Sequence, residues 1–320
     1  MRGVAALLGL AVALWPAIGA AQNYPDKPVR VVVGFSAGGP TDVIGRIVSQ
    51  KLSESLGQQF YVENLAGAGG NIASGVVAKA PPDGYTLLVI STGFLVNPSL
   101  YAKVPYDAVK DFAPITLVAA SPNVISINPS VPATSVQELV ALIKTNPAKY
   151  SYAGPGIGST PHLSAELFRI RFGLDLVHVP FAGAAPAIAA VIAGHVPIVF
   201  SALPPAVAAI KDGQLRALAV TAAKRITALP DVPTMAEAGV ADQEADTLTG
   251  IVAPAGTPAV IVEKLNTEIK RAVEQPDVKD KLAALGFQPV LNTPDEFSAR
   301  IRTEMEKWGK VVRDANIKIE

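Results

Sequence analysis

The 320-residue chain contains no cysteine. That excludes a disulfide framework, a thiolate metal site and a cysteine nucleophile, and with them lipid attachment through a cysteine after a leader. Histidine is scarce: His162, His178 and His195 lie apart, without the carboxylate spacing of a metal centre, and are read as structural or surface residues, so no metal is expected. Charge of one sign is also lacking, since Lys plus Arg and Asp plus Glu both number 27. With no basic run and no aromatic platform, nucleic acid is not an expected partner. The patterns G-x-x-x-x-G-K-[ST], G-x-G-x-x-G and H-E-x-x-H are absent, and no cofactor is expected. Beyond the first twenty residues, Gly, Pro or a charge interrupts every apolar run, so no membrane-spanning helix is expected there.

What is present starts with a leader. Arg2 gives a positive start, Val4 to Ala17 is nearly unbroken apolar sequence, and Gly19 and Ala21 are the small residues a signal peptidase requires. Residues 1–21 are therefore expected to be a signal peptide, cleaved between Ala21 and Gln22, with the mature chain in the periplasm and not lipid-anchored. Removing Arg2 leaves a net charge of −1 on a chain long enough for two lobes.

The rest alternates strand-like and helix-like segments. Val29 to Val33 is a β-branched run. Asp42 to Leu56 follows with Val43, Ile47, Leu52 and Leu56 near helical spacing and Gly57 as the stop. Thr86 to Ile90 reads as a buried strand, and Ile115–Ala119 with Asn123–Ile127 as a long extended stretch interrupted by Ser121-Pro122. Thr293-x-x-Glu296 is a capping box ahead of the stripe Phe297, Ile301, Trp308, Val312, which places Trp308 in the core. Such alternation with short loops predicts an α/β fold of βαβ units with mostly parallel sheets flanked by helices. No floppy linker occurs, so two lobes must be joined by crossing strands, for which Ala119–Val124 and Asp246–Gly250 are the candidates.

Four strand-to-helix turns are rich in glycine: 35–42, 66–71, 154–161 and 181–186. Glycine admits close backbone approach, and a helix N-terminus offers unpaired N–H groups and partial positive charge. Such turns are anion sites at the C-terminal edge of parallel strands. None of the four holds Lys or Arg, so an anion would rest on amides, hydroxyls and dipoles, which suits a carboxylate that must be released. An alternative is a serine hydrolase, because Gly34-Phe35-Ser36-Ala37-Gly38 matches the G-x-S-x-G nucleophile elbow. The match comes too early in the chain for the strands and oxyanion loop that must precede it, and no histidine falls in a late loop behind an acid-bearing strand. Asp42, at a helix start, reads as a dipole partner more readily than as a base.

The sequence closely resembles the periplasmic substrate-binding proteins of tripartite tricarboxylate transporters, the TctC or Bug type. The resemblance rests on Phe35-x-Ala37-Gly38-Gly39-x-x-Asp42, Gly67-Ala68-Gly69-Gly70, Pro82-Asp83-Gly84-Tyr85, Gly158-Ser159-Thr160-Pro161-His162, Val179-Pro180-Phe181-x-Gly183, Leu229-Pro230-Asp231-Val232-Pro233 and Ala253-Pro254-Ala255-Gly256-Thr257-Pro258, in order along the chain. It implies a two-lobe, type II-like Venus flytrap with two crossover strands and no turnover. The first lobe is expected at 22–121 and 248–298, and the second at 122–247, to which 299–320 are assigned provisionally. It implies a small carboxylate held on backbone amides and ordered water by Phe35, Ser36, Ala37, Gly38, Gly39 and Asp42 from one lobe. Gly158, Ser159, Thr160, Phe181, Ala182 and Gly183 would hold it from the other. Ser91 and Thr92 complete the candidate set. Integral-membrane subunits of the tripartite type are the implied partners of a monomer. Departures occur at Leu65 and Ala66, where Arg-Pro is usual, at Leu248 for Trp, and at Ala190 and Pro197 for Asp. They argue against amino acids and highly charged polycarboxylates and leave mono-, di- and aromatic acids open.

Overall fold

The computed structural model describes residues 24–241, 243, 245–314 and 317; the expected signal segment and its cleavage point lie outside them. The chain runs β1 (Val29–Val33), α1 (Pro40–Leu56), β2 (Phe60–Asn64), α2 (Asn71–Val77), β3 (Thr86–Ser91), α3 (Thr92–Leu100) and β4 (Phe112–Ile127). It continues with α4 (Val136–Thr145), β5 (Ser151–Pro155), α5 (Thr160–Phe172), β6 (Val177–Phe181), α6 (Ala184–Ile192), β7 (Ile198–Ala202), α7 (Val207–Lys211) and β8 (Arg216–Val220). The last stretch is β9 (Asp246–Pro254), α8 (Ala259–Val273), α9 (Pro276–Ala284), β10 (Gln288–Pro289) and α10 (Pro294–Asp314).

Strands buried on both faces need continuous apolar sequence, and β1 has it. Val31 and Val33 point to one face, where Ile44 and Ile47 of α1 and Leu265 and Ile269 of α8 cover them. Val32 points to the other, among Leu88, Phe94 of α3 and Phe297 and Ile301 of α10. Each fully buried side chain of this size contributes about 1.5–3 kcal/mol. The second lobe repeats the plan. Ile125, Tyr152 and Phe200 face α4 and α5, while Val124, Ala153 and Val199 face α6 and the segment around Val207.

The strand order is β2-β1-β3-β9-β4-β7-β5-β6, with β8 and β10 also paired to β4. Within the lobes, β1 pairs parallel with β2 and β3, and β5 with β6 and β7. The antiparallel ladders are those of β4, together with that of β3 and β9. The 16-residue β4 pairs with β9 at its start and with β7 and β8 at its end, so it joins both lobes. The expected break at Ser121-Pro122 is not there: Pro122 lies opposite Asp246 in the ladder, and its carbonyl accepts from Leu203 N–H at 2.9 Å. A proline is tolerated in a strand where its missing donor is not needed.

The C-terminal helix α10 starts with the expected capping box, Thr293 N–H to Glu296 at 2.8 Å and Glu296 N–H to Thr293 Oγ1 at 3.3 Å. Its first half joins the core of the first lobe. Trp308, 1 % exposed, packs with Val96 and Leu100 of α3 and with Leu163 of α5, and donates to Glu304 at 2.9 Å.

Candidate ligand-binding site

The C-terminal ends of β1, β3, β5 and β6 each run into a helix, and the N-termini of those four helices converge on one cavity of about 580 Å³. Gly39, Pro40 and Thr41 open α1, and Ser91 is the N-cap of α3. Ser159, Thr160 and Pro161 open α5, and Gly183 with Ala184 to Pro186 open α6. Phe35, Ser36, Ala37, Pro155, Ala202 and Thr247 complete the wall. No lining residue carries a charge. The first N–H groups of each helix have no partner inside it, and each N-terminus carries roughly half a positive charge, so the electrostatics favour an anion without a cationic side chain.

Of the expected residues, Phe35, Ser36, Ala37, Gly39, Ser91, Ser159, Thr160 and Gly183 line this cavity. The two lobes meet across it: Ser36 Oγ donates to the Ala182 carbonyl at 3.3 Å. Phe181 and Ala182 line a neighbouring chamber instead.

Three further candidates hold the walls from behind. Asp42, 2 % exposed, accepts from Gly38 N–H and Arg46 Nε on one carboxylate oxygen and from Asn64 Nδ2 on the other, each at 2.9 Å. Burial alone would raise its pKa, but the bonds from Arg46, Gly38 and Asn64 outweigh it and hold the carboxyl below the usual range. Thr92 is fully buried; its Oγ1 accepts from Leu248 N–H at 2.8 Å and donates to the Asp246 carbonyl at 3.3 Å, tying α3 to β9. Gly158 has φ +84°, and a Cβ there would lie 2.4 Å from Leu100 Cδ1, so both backbone and space demand glycine.

Behind the α5 turn sits a buried polar group that the sequence reading left as scattered residues. His162 Nδ1 accepts from Gly158 N–H at 3.3 Å, and its ring lies 4.7 Å from that of His178, which stacks on Tyr152 at 4.7 Å. Tyr152 Oη donates to Glu166 at 3.0 Å and Arg169 to the other oxygen at 2.8 Å. Burial, then the neighbouring His178 and Arg169, push the pKa of His162 down to about 3, so the ring is neutral, as its acceptor role requires. Neither ring is a hydrogen-bond partner of Ser36, whose hydroxyl is turned to a backbone carbonyl. The serine-hydrolase alternative therefore has no support in this geometry. Among the described residues, no group of His, Asp and Glu could hold a metal ion.

The wall also takes in Pro40, Thr41, Pro155, Pro161, Ala184, Ala185 and Pro186, which lie within three of the glycine-rich turns but outside the candidate set, and Ala202 and Thr247, which sequence reading missed. A proline in the first turn of a helix is itself a signal, since it marks where the helix starts. Ala202 and Thr247 had none, because β7 and β9 bring them in from distant sequence.

Comparisons with known proteins agree with this fold. The model of the tripartite tricarboxylate transporter family receptor, TctC, matches residues 44–317. The chain is 37 % identical over 302 residues to the protein BugT of Bordetella pertussis, covering 94 % of this chain and 93 % of that one. It superposes with a TM-score of 0.89 on Rpa4515 of R. palustris, solved with adipate, at 36 % identity over 92 % of this chain and all of that one. The corresponding values for MatC of Rhodopseudomonas palustris, solved with malate, are 0.85, 34 %, 90 % and 100 %. A two-lobe α/β fold with helix N-termini gathered on a cleft, and a family model matched over most of its length, place this chain in the tripartite tricarboxylate transporter receptor family, the TctC or Bug type.

Proposed function

We propose that the protein is an exported, non-catalytic receptor that captures a small carboxylate between its lobes and delivers it to a membrane transporter of the tripartite tricarboxylate type. The observation that carries this reading is the convergence of four helix N-termini on a cavity without a charged wall residue. A carboxylate placed there is bound by first-turn amides and by the hydroxyls of Ser36, Thr41, Ser159 and Thr160, with no cation to hold it against release. The adipate and malate in similar structures support a linear acid of this size. The family's name supports the membrane partner, and the periplasmic relatives support the compartment.

Because residues of both lobes line the cavity, a ligand touching both favours closure, and release accompanies opening. The protein acts as a monomer in this reading.

Calorimetric titration with adipate, malate and their mono- and diamides tests it. The acids bind and the diamides do not; diamides that bind as well as the acids refute the helix-terminus account. Sustained ester hydrolysis that disappears in Ser36→Ala overturns the non-catalytic reading.

A further inference from the structure

Phe35 belongs to the walls of two chambers. One is the cavity described above. The other is a chamber open to solvent, walled by Gly34, the turn from Ala66 to Gly70, Gly93, Gly156, Phe181 and Ala182. Only Phe35 and Ser159 belong to the walls of both. A third, smaller crevice is also lined by Phe35, together with Gly70 and Ser91.

The seat of the ring is built from glycine. A Cβ on Gly70 would lie 3.4 Å from Phe35 Cε2, and one on Gly93 3.9 Å from Phe35 Cζ. A Cβ at Gly70 would touch the ring, and a longer side chain would have to displace it. Phe35 is itself only half-buried. The far chamber, like the near one, has no charged residue in its wall, so it offers apolar surface and backbone groups. Two neutral chambers thus adjoin at Phe35 and Ser159, with the Ser36–Ala182 contact beside them, and Phe35 is the one large side chain of that shared wall.

We propose that Phe35 is the specificity-determining residue for ligand length, closing the cleft behind a short acid and keeping the far chamber from longer ones. This rests on the carboxylate reading of the near cavity. A methylene chain has apolar surface to bury beyond the partition, and each added methylene in contact strengthens binding severalfold. Removing the ring opens that surface, while one carboxylate stays at the helix N-termini.

The test is calorimetry on wild type, Phe35→Ala and the milder Phe35→Leu, with straight-chain α,ω-dicarboxylates from succinate to sebacate. Wild-type affinity is expected to peak at one length and fall for longer acids. In Phe35→Ala the peak moves to longer acids, with those two methylenes past the wild-type optimum gaining about tenfold, and Phe35→Leu lies between. Adding Ala66→Leu, a larger side chain at a wall position of the far chamber away from Phe35, is expected to return the peak towards the wild-type length. Proportional weakening of every acid in both Phe35 variants, with the peak unmoved, overturns the partition while leaving the carboxylate site intact. No binding of any acid by folded wild type, checked by circular dichroism, overturns the carboxylate reading and the partition with it.

Discussion

Replacing Asp42 by Asn keeps the shape of the side chain and changes only its hydrogen-bonding capacity, which makes the role of this residue measurable. The carboxylate accepts three bonds, two on one oxygen and one on the other. An amide keeps one acceptor oxygen and puts a donating NH₂ in place of the other. If its oxygen faces Gly38 and Arg46, its NH₂ meets the NH₂ of Asn64; the other orientation sets NH₂ against both Gly38 N–H and Arg46. Asn64 cannot turn over without cost, because its Nδ2 also donates to the Phe35 carbonyl at 2.9 Å and its Oδ1 accepts from Arg46 at 3.0 Å. The cheapest outcome is the loss of one bond to a buried charge, worth about 1.5–3 kcal/mol. Arg46 adds little, since its side chain is 53 % exposed and water can replace the partner. The expected loss of stability is therefore about 2 kcal/mol, read from urea unfolding at neutral pH. Affinity for the proposed carboxylate falls too, because Gly38 N–H loses its anchor and the turn carrying Ser36 and Gly39 loosens. Asp42→Asn with wild-type stability and no binding would falsify this account, since the carboxylate would then have to face the ligand.

Gly39→Val should leave stability within about 0.5 kcal/mol, because a Cβ there meets only the Ser36 carbonyl at 3.8 Å; adipate binding should fall by on the order of tenfold or more, as the new side chain enters the cavity, and unchanged calorimetry would refute the placement of that wall. Gly250→Ala puts a Cβ 2.3 Å from Phe297 Cζ and should destabilise by about 1–3 kcal/mol; Phe297→Leu in the same chain should cost less than it does alone, which thermal unfolding checks. His162 has a folded pKa depressed to about 3, so its contribution to stability is present above the ordinary value near 6.5 and is lost as pH falls below it, by about 1.4 kcal/mol per pH unit. Urea midpoints should therefore drop more steeply between pH 7 and pH 5 in wild type than in His162→Asn, and parallel curves would contradict a neutral buried ring.

How far the sequence discloses this protein depends on how local the signal is. The β-branched run of β1, the stop at Gly57, the capping box at Thr293 and the core position of Trp308 follow from neighbours in the chain, and the structure has them. Helix α3 was not foreseen. Thr92, Gly93, Phe94, Leu95, Val96, Asn97 and Leu100 are all buried and Pro98 lies within it, so it has neither an apolar stripe nor a proline-free run. The continuity of β4 through Pro122 depends on its partner β9, more than a hundred residues away. At the site, the glycine turns revealed which loops gather. The division of labour among their residues did not show, because Asp42 and Thr92 turn inward to partners that only the fold supplies.

The path of the chain through its two hydrophobic interiors has a consequence for biogenesis. The clusters around Tyr152 and Val199 draw on one unbroken stretch, Val124 to Val240. Those around Val31 and Val32 unite Tyr24 to Ala120 with Leu248 to Ile301. With export as proposed, a chain threading through its channel presents every piece of the inner unit before the outer one can close. The outer unit must wait, with its apolar strands β1 to β3 uncovered, for β9, α8 and α10 to arrive. Truncation just before Asp246 spares the inner unit and strips the outer one of the strand between β3 and β4. Tyr24 and Phe297, near opposite ends of the chain, both anchor in that outer unit, so fluorophores fixed beside these two residues move together, and a sensor of the proposed closure needs its second label on the inner one.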